Sequence, residues 1–139
     1  MASLGQAGDV RGSVDVLIVD DQAPFRQVAR TLVRLIPGWQ VVGEAATGED
    51  AVEQVAAALP AVVLMDINLP GMSGIEATRQ IVSRAPQTSV VLVSSYAADD
   101  LPPDARDCGA VGYIRKDDLT PARLRAVRPT VPGEEVTTE

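Results

Sequence analysis

Five short stretches of the chain are dense in aliphatic residues: VDVLIVDD (14–21), WQVVGEA (39–45), AVVLMD (61–66), SVVLVSS (89–95) and GAVGYIRK (109–116). In the third, Val62, Val63, Leu64 and Met65 run without a polar interruption, the pattern of a strand covered on both faces, and the run stops at one carboxylate, Asp66. Between these stretches the apolar period lengthens to three and four. Phe25, Val28, Ala29, Leu32, Leu35 and Ile36 make one helical stripe from Ala23 onward, with Arg26, Arg30 and Arg34 on another face and Pro37 and Gly38 as the stop. Thr47 with Asp50 marks the start of a second helix, which carries Ala51, Val52, Val55, Ala56 and Leu59 as far as Pro60. Pro70, Gly71 and Gly74 force a turn after Asp66. Ser73, with Glu76 three residues on, is a capping box that opens a third helix from Gly74 to about Arg84.

Strand alternating with helix in this way predicts parallel strands joined by right-handed crossovers, an α/β sheet with helices on both faces. The fourth helix is the weak element. In AADDLPPDARDCG (97–109), Leu101 precedes a proline and is pushed toward extended geometry, and Pro102 and Pro103 lack amide donors. A helix can start only at about Pro102 or Pro103, and Gly109 ends it. The last helix, capped by Thr120 with Pro121 in its first turn, has barely two turns before Pro129. Two truncated helices are expected to leave this side of the molecule mobile or atypically placed.

Composition narrows the class. The chain has 139 residues, enough for one domain with a sizeable core; it is 46% hydrophobic but only 3% aromatic, so that core must be Val, Leu, Ile and Ala. A net charge of −7 disfavours direct contact with nucleic acid. The absence of histidine removes a histidine base, a histidine metal ligand and a phosphohistidine from consideration. One cysteine, Cys108, allows no internal disulfide and reads as a small buried residue. With no signal peptide and no apolar run near ~20 residues, the expected location is cytoplasmic, without membrane contact. Residues 1–13 read as a flexible N-terminal tail, 14–128 as the folded domain, and 129–139 as a flexible tail or the start of a linker.

Crossovers return every strand end to the same edge of a parallel sheet, so Asp20, Asp21, Asp66, Ser94 and Lys116 can converge there. A strand-end Asp by itself is ordinarily a cap, and an adjacent acid pair is ordinarily solvated; convergence is what gives them chemistry. Carboxylates held together need a cation, and an all-oxygen site suits Mg²⁺, or Mn²⁺ in its place, better than zinc. A hydroxyl from Ser94 and an ammonium from Lys116 would complete a receptor for a phosphoryl group, with an ionised Asp as the attacking oxygen.

The strings LIVDD, VVLMDINLPGMSGIEA, VVLVSS and GYIRKDD resemble those of two-component response-regulator receiver domains, in particular the NarL/FixJ-like group, over roughly residues 14–128. That resemblance implies a flavodoxin-like (βα)5 fold with sheet order 2-1-3-4-5. It implies Asp66 as phospho-acceptor, Asp20 and Asp21 as the metal-serving acid pair with the backbone carbonyl of Asn68, Ser94 as switch hydroxyl and Lys116 as phosphate partner. Tyr113 has two readings, a rotating switch aromatic and an aromatic simply packed at a strand end. Asn68 and Tyr96 flank the site and would tune the lifetime of the modified form. The implied partners are a sensor histidine kinase or phosphotransfer protein and an output domain or protein, reached through the face made by the fourth helix, fifth strand and fifth helix; two copies could pair there. Asp117 follows Lys116 where many receivers have proline, so no cis peptide is expected. Two other readings stay open: a docking module that works without phosphorylation, and a Mg²⁺-dependent small-molecule phosphatase, for which DINLPG supplies no second catalytic acid.

Overall fold

The aliphatic runs become the strands of one sheet. In a computed structural model that describes residues 13–127, β1 (Val14–Val19), β2 (Trp39–Ala45), β3 (Val62–Asp66), β4 (Ser89–Ser94) and β5 (Gly112–Arg115) are all parallel, in the order β2-β1-β3-β4-β5. The expected α/β architecture and strand order are therefore present. The expected tails, 1–13 and 129–139, fall outside the described residues except for Ser13, and so does Arg128.

All of β3 is buried, because it lies at the centre of the sheet with helices on each side. Alternate side chains go to opposite faces. Val63 and Met65 join Leu17, Val19, Val90 and Leu92 beneath α2 (Gly48–Ala58) and α3 (Gly74–Arg84). Val62 and Leu64 join Val16, Ile18, Val91 and Val93 beneath α1 (Ala23–Arg34) and α4 (Pro121–Ala126). Each fully buried aliphatic side chain contributes about 1.5–3 kcal/mol before entropy is counted, so the central strand is anchored far more firmly than the edges.

Local signals place the helix starts. Thr47 Oγ1 accepts the Asp50 amide at 3.1 Å, Ser73 Oγ the Glu76 amide at 3.2 Å, and Thr120 Oγ1 the Arg123 amide at 3.1 Å. Only half of the capping box at Ser73 is seen: the Glu76 carboxylate pairs forward, with Arg79 at 3.5 Å and Gln80 at 3.3 Å. Gly74 is there for space. A Cβ on it would clash with the carbonyl oxygen of Asp66 and stand 2.9 Å from the carbonyl carbon, because the start of α3 is drawn against the end of β3 by the Gly74 amide bonding to Ile67 O at 2.9 Å.

Three expectations are corrected. The buried stripe of α1 runs through Ala29, Val33 and Ile36, with Phe25 and Leu32 partly covered, while Val28 and Leu35 are 52% and 64% exposed; a three-four spacing alone does not say which of two adjacent stripes faces the sheet. Leu59 is outside the α2 stripe, exposed, and closes that helix in the left-handed region at φ 47°. The fourth helix is not an α-helix. The segment holds two 3₁₀ turns, Ala98–Asp100 and Pro103–Arg106, separated by Leu101 and Pro102 in extended geometry, as the proline geometry requires. Its second turn does begin at Pro103, and Gly109, at φ 99°, ends the segment. Buried Ala105 and Cys108 still pin it to the core. No cis peptide occurs among the described residues.

Two measurements follow from this architecture. Gly74→Ala should cost about 1–3 kcal/mol in urea unfolding, the usual range for forcing a methyl into a filled site, and an unchanged midpoint would remove the close-approach argument. Amide exchange across 98–109 should be faster than in α1; equal protection would contradict the loss of helix there.

Candidate functional site

Asp20 follows β1 directly, Asp66 is the last residue of β3, and Lys116 follows β5 at the head of a 3₁₀ turn, Lys116–Asp118. All three stand at the carboxyl edge of the sheet, as a parallel topology requires. One carboxylate oxygen each from Asp20, Asp21 and Asp66 lies within 4.8 Å of the others. Asp20 is 0% and Asp66 5% exposed, while Asp21 faces solvent. Lys116 Nζ is 2.8 Å from Asp20 Oδ2 and 3.7 Å from Asp66 Oδ2, and sits 4.4 Å from the centroid of the Phe25 ring.

Main-chain amides orient both buried acids: Gln22 N–H donates to Asp20 Oδ1 at 2.8 Å and Asn68 N–H to Asp66 Oδ1 at 3.2 Å. The other oxygen of Asp20, Oδ2, accepts no hydrogen bond and has the charge of Lys116 beside it. A single ammonium shared by two buried carboxylates undercompensates them. Burial, and then the charge of Asp20, push the Asp66 carboxyl up to about 7, against the opposing pull of Lys116 and the Asn68 amide. These residues fit a hard divalent cation: the donors are all oxygen, Asp20 Oδ2 lacks a hydrogen bond, and the cluster carries excess negative charge.

Ser94 ends β4 one residue beyond Val93, the ladder partner of Asp66. It is fully buried, and its Oγ accepts the Tyr96 amide at 3.1 Å, which leaves its own proton to donate elsewhere. Tyr113, in β5, packs partly buried against the α2 and α3 side of the core; its hydroxyl donates to the carbonyl of Tyr96 and, at 3.3 Å, to that of Ser94. Burial raises its phenol above the usual value. Ser94, Tyr96 and Tyr113 thus form a second cluster beside the carboxylates. Asn68 presents an exposed side chain just past Asp66.

Sequence reasoning missed the supports. Arg26 Nη1 donates to the Asp20 carbonyl at 2.8 Å while its Nε pairs with Glu44 at 3.1 Å, and Arg30 takes the other Glu44 oxygen. Glu49 Oε2 accepts the Met72 amide at 3.3 Å, tying α2 to the loop after Asp66. The available signal was the single charged residue in WQVVGEA, Glu44, a charge that needed a partner.

Residues 16–127 match the family model described as the response regulator receiver domain. The chain is 36% identical over 121 residues to the response regulator UvrY of Escherichia coli O6:H1, and equally to GacA of Pseudomonas aeruginosa, covering 87% of this chain and 56% of each relative. It thus spans little more than half the length of these curated relatives. Among solved structures, the signal receiver domain of NarL from Mycobacterium tuberculosis superposes with a TM-score of 0.74 at 32% identity, covering 83% of this chain and 96% of that one. No helix among the described residues is long and apolar enough to cross a membrane.

Between the unfolded carboxyl value near 3.8 and about 7, the folded protein binds a proton at Asp66 that the unfolded chain does not, so stability falls as pH rises through that window. In chelator, the melting temperature of Asp66→Asn should therefore exceed that of the native protein by a margin that widens from pH 5 to pH 8, and Mg²⁺ should narrow it. A margin independent of pH would remove the crowded-carboxylate argument.

Proposed function

The chain belongs to the response regulator receiver family, within its NarL-like group, and from that premise we propose that it is a phosphorylation-dependent switch of a two-component system with Asp66 as the acceptor. What carries the reading is the gathering of the Asp66 carboxylate, an acid pair and the Lys116 ammonium at one spot, Lys116 standing 2.8 Å from Asp20 and 3.7 Å from Asp66. A kinase phosphohistidine, or a small phosphodonor, loses its bond to phosphorus as an Asp66 oxygen forms a new one. Asp66 must be ionised to attack, and cation binding at Asp20 and Asp21 favours that form.

Asp20, Asp21, Asp66 and the Asn68 carbonyl would hold Mg²⁺, or Mn²⁺ in its place, and the ion would supply positive charge to balance a phosphoryl group. Lys116 exchanges Asp20 for the new anion, which it reaches with little movement. Ser94 offers its free O–H to the same group. Turning Ser94 disturbs the hold on Tyr113, since both share the Tyr96 backbone as partner. This shifts an equilibrium between packings of the 98–109 segment, β5 and α4, the surface presented to an output domain or protein partner. Asn68 and Tyr96 border the approach of hydrolytic water. The chemistry is self-catalysed on Asp66 rather than turnover of a separate substrate, and the phosphoryl source is a sensor histidine kinase or phosphotransfer protein.

Intact mass after incubation with Mg²⁺ and acetyl phosphate distinguishes this from the other readings. One phosphate adduct in the native protein and none in Asp66→Ala is the expected result. No adduct on the native protein would favour the phosphorylation-independent docking module, for which the broken fourth helix is the structural argument, and sustained phosphate release would favour a phosphatase.

A further inference from the structure

Asp20 and Asp21 lie on a turn between β1 and α1, and the direction of both carboxylates follows the peptide plane that joins them. The Asp20 amide continues the sheet ladder, donating to Ala45 O at 3.0 Å. Its carbonyl is taken by a side chain: Arg26 Nη1, at 2.8 Å. The same guanidinium is fixed from its other edge by Glu44, whose second oxygen is held by Arg30. Arg26 and Glu44 are only 22% and 27% exposed, so these charges are partly shielded from solvent and their geometry is constrained.

We infer that Arg26, anchored by Glu44, is a positioning residue for the cation site: it holds the Asp20 carbonyl so that the two adjacent carboxylates face Asp66. This rests on the reading of Asp20 and Asp21 as cation ligands. Only a forked donor does the work, since one side chain must reach the main chain of the β1–α1 turn and the carboxylate on β2 together. The role makes a prediction opposite in sign to simple electrostatics. Arg26 is a cation close to an acid cluster, so by charge alone its removal should tighten divalent binding. If it sets the geometry, its removal should weaken binding.

Titration of the full chain with Mg²⁺ alone, by calorimetry and without phosphodonor, decides between them. Arg26→Gln is expected to weaken Mg²⁺ about tenfold, in the range typical for residues that orient metal ligands, and Arg26→Lys, which keeps the charge but not the fork, should be weakened as well. Arg34→Gln, the same charge change on an exposed position of α1, should match the native protein. Unchanged or tighter binding by Arg26→Gln overturns the inference. Should that variant lack the native circular dichroism, Glu44→Ala replaces it: it keeps every positive charge and removes the anchor, and a loss no greater than that of Glu53→Ala, the same charge change at an exposed position of α2, overturns the inference in the same way. A native protein that binds no Mg²⁺ overturns the cation reading itself, an outcome visible before any variant is compared.

Discussion

Two buried carboxylates share one ammonium, and the architecture of the sheet edge is arranged around that imbalance. Asp20 and Asp66 are almost wholly out of water, so their mutual repulsion is poorly screened, and Lys116 stands 2.8 Å and 3.7 Å from them. The Asp66 carboxyl is pushed to about 7 as a result. An apolar replacement would make a more stable protein, but such a site could not take up a cation and an anion together. The cost of crowding is met by the core beneath, where every residue of β3 is buried.

The crowding also explains the packing around it. Holding charges in unfavourable proximity requires a backbone that cannot relax, and each acid is fixed through its main chain as well as its side chain. Asp66 is backed by α3, brought close enough that only glycine fits at position 74. Asp20 is held by the Ala45 carbonyl on one side and the Arg26 guanidinium on the other. The Ser94 and Tyr113 hydroxyls instead meet on the Tyr96 backbone, Ser94 accepting its amide and Tyr113 donating to its carbonyl, next to a segment that has only 3₁₀ turns. A fixed acid cluster beside a segment of 3₁₀ turns suits the proposed switch, because phosphoryl chemistry needs fixed geometry while a response needs an element with more than one packing.

Much of this was legible in the residue order. Runs such as VVLM and VVLV have no polar face, and alternating with helical stripes and turn residues they read as central parallel strands, with an acid at the end of such a run at the sheet edge. Ser73 and Thr120 declared their helices because a hydroxyl before an apolar period satisfies a free amide wherever it occurs. The prolines at 102 and 103 announced a shortened helix, although not that it would reduce to two 3₁₀ turns.

Long-range partners were a different matter. Nothing in the spacing of Arg26, Arg30 and Glu44 says that they meet, and three-four periodicity assigned Val28 and Leu35 to the core when they are exposed. Residue order alone specified the strands, every α-helix but the one expected after Leu101, and the chemical identity of the edge residues, since these follow from local steric and solvation preferences repeated along the chain. The packing of layers settled which face of α1 meets the sheet, that Lys116 lies between Asp20, Asp66 and the Phe25 ring, and that an arginine grips the main chain of the acid pair. Those contacts join residues 6 to 96 positions apart, and their geometry comes from how the sheet twists and its layers pack rather than from any local preference.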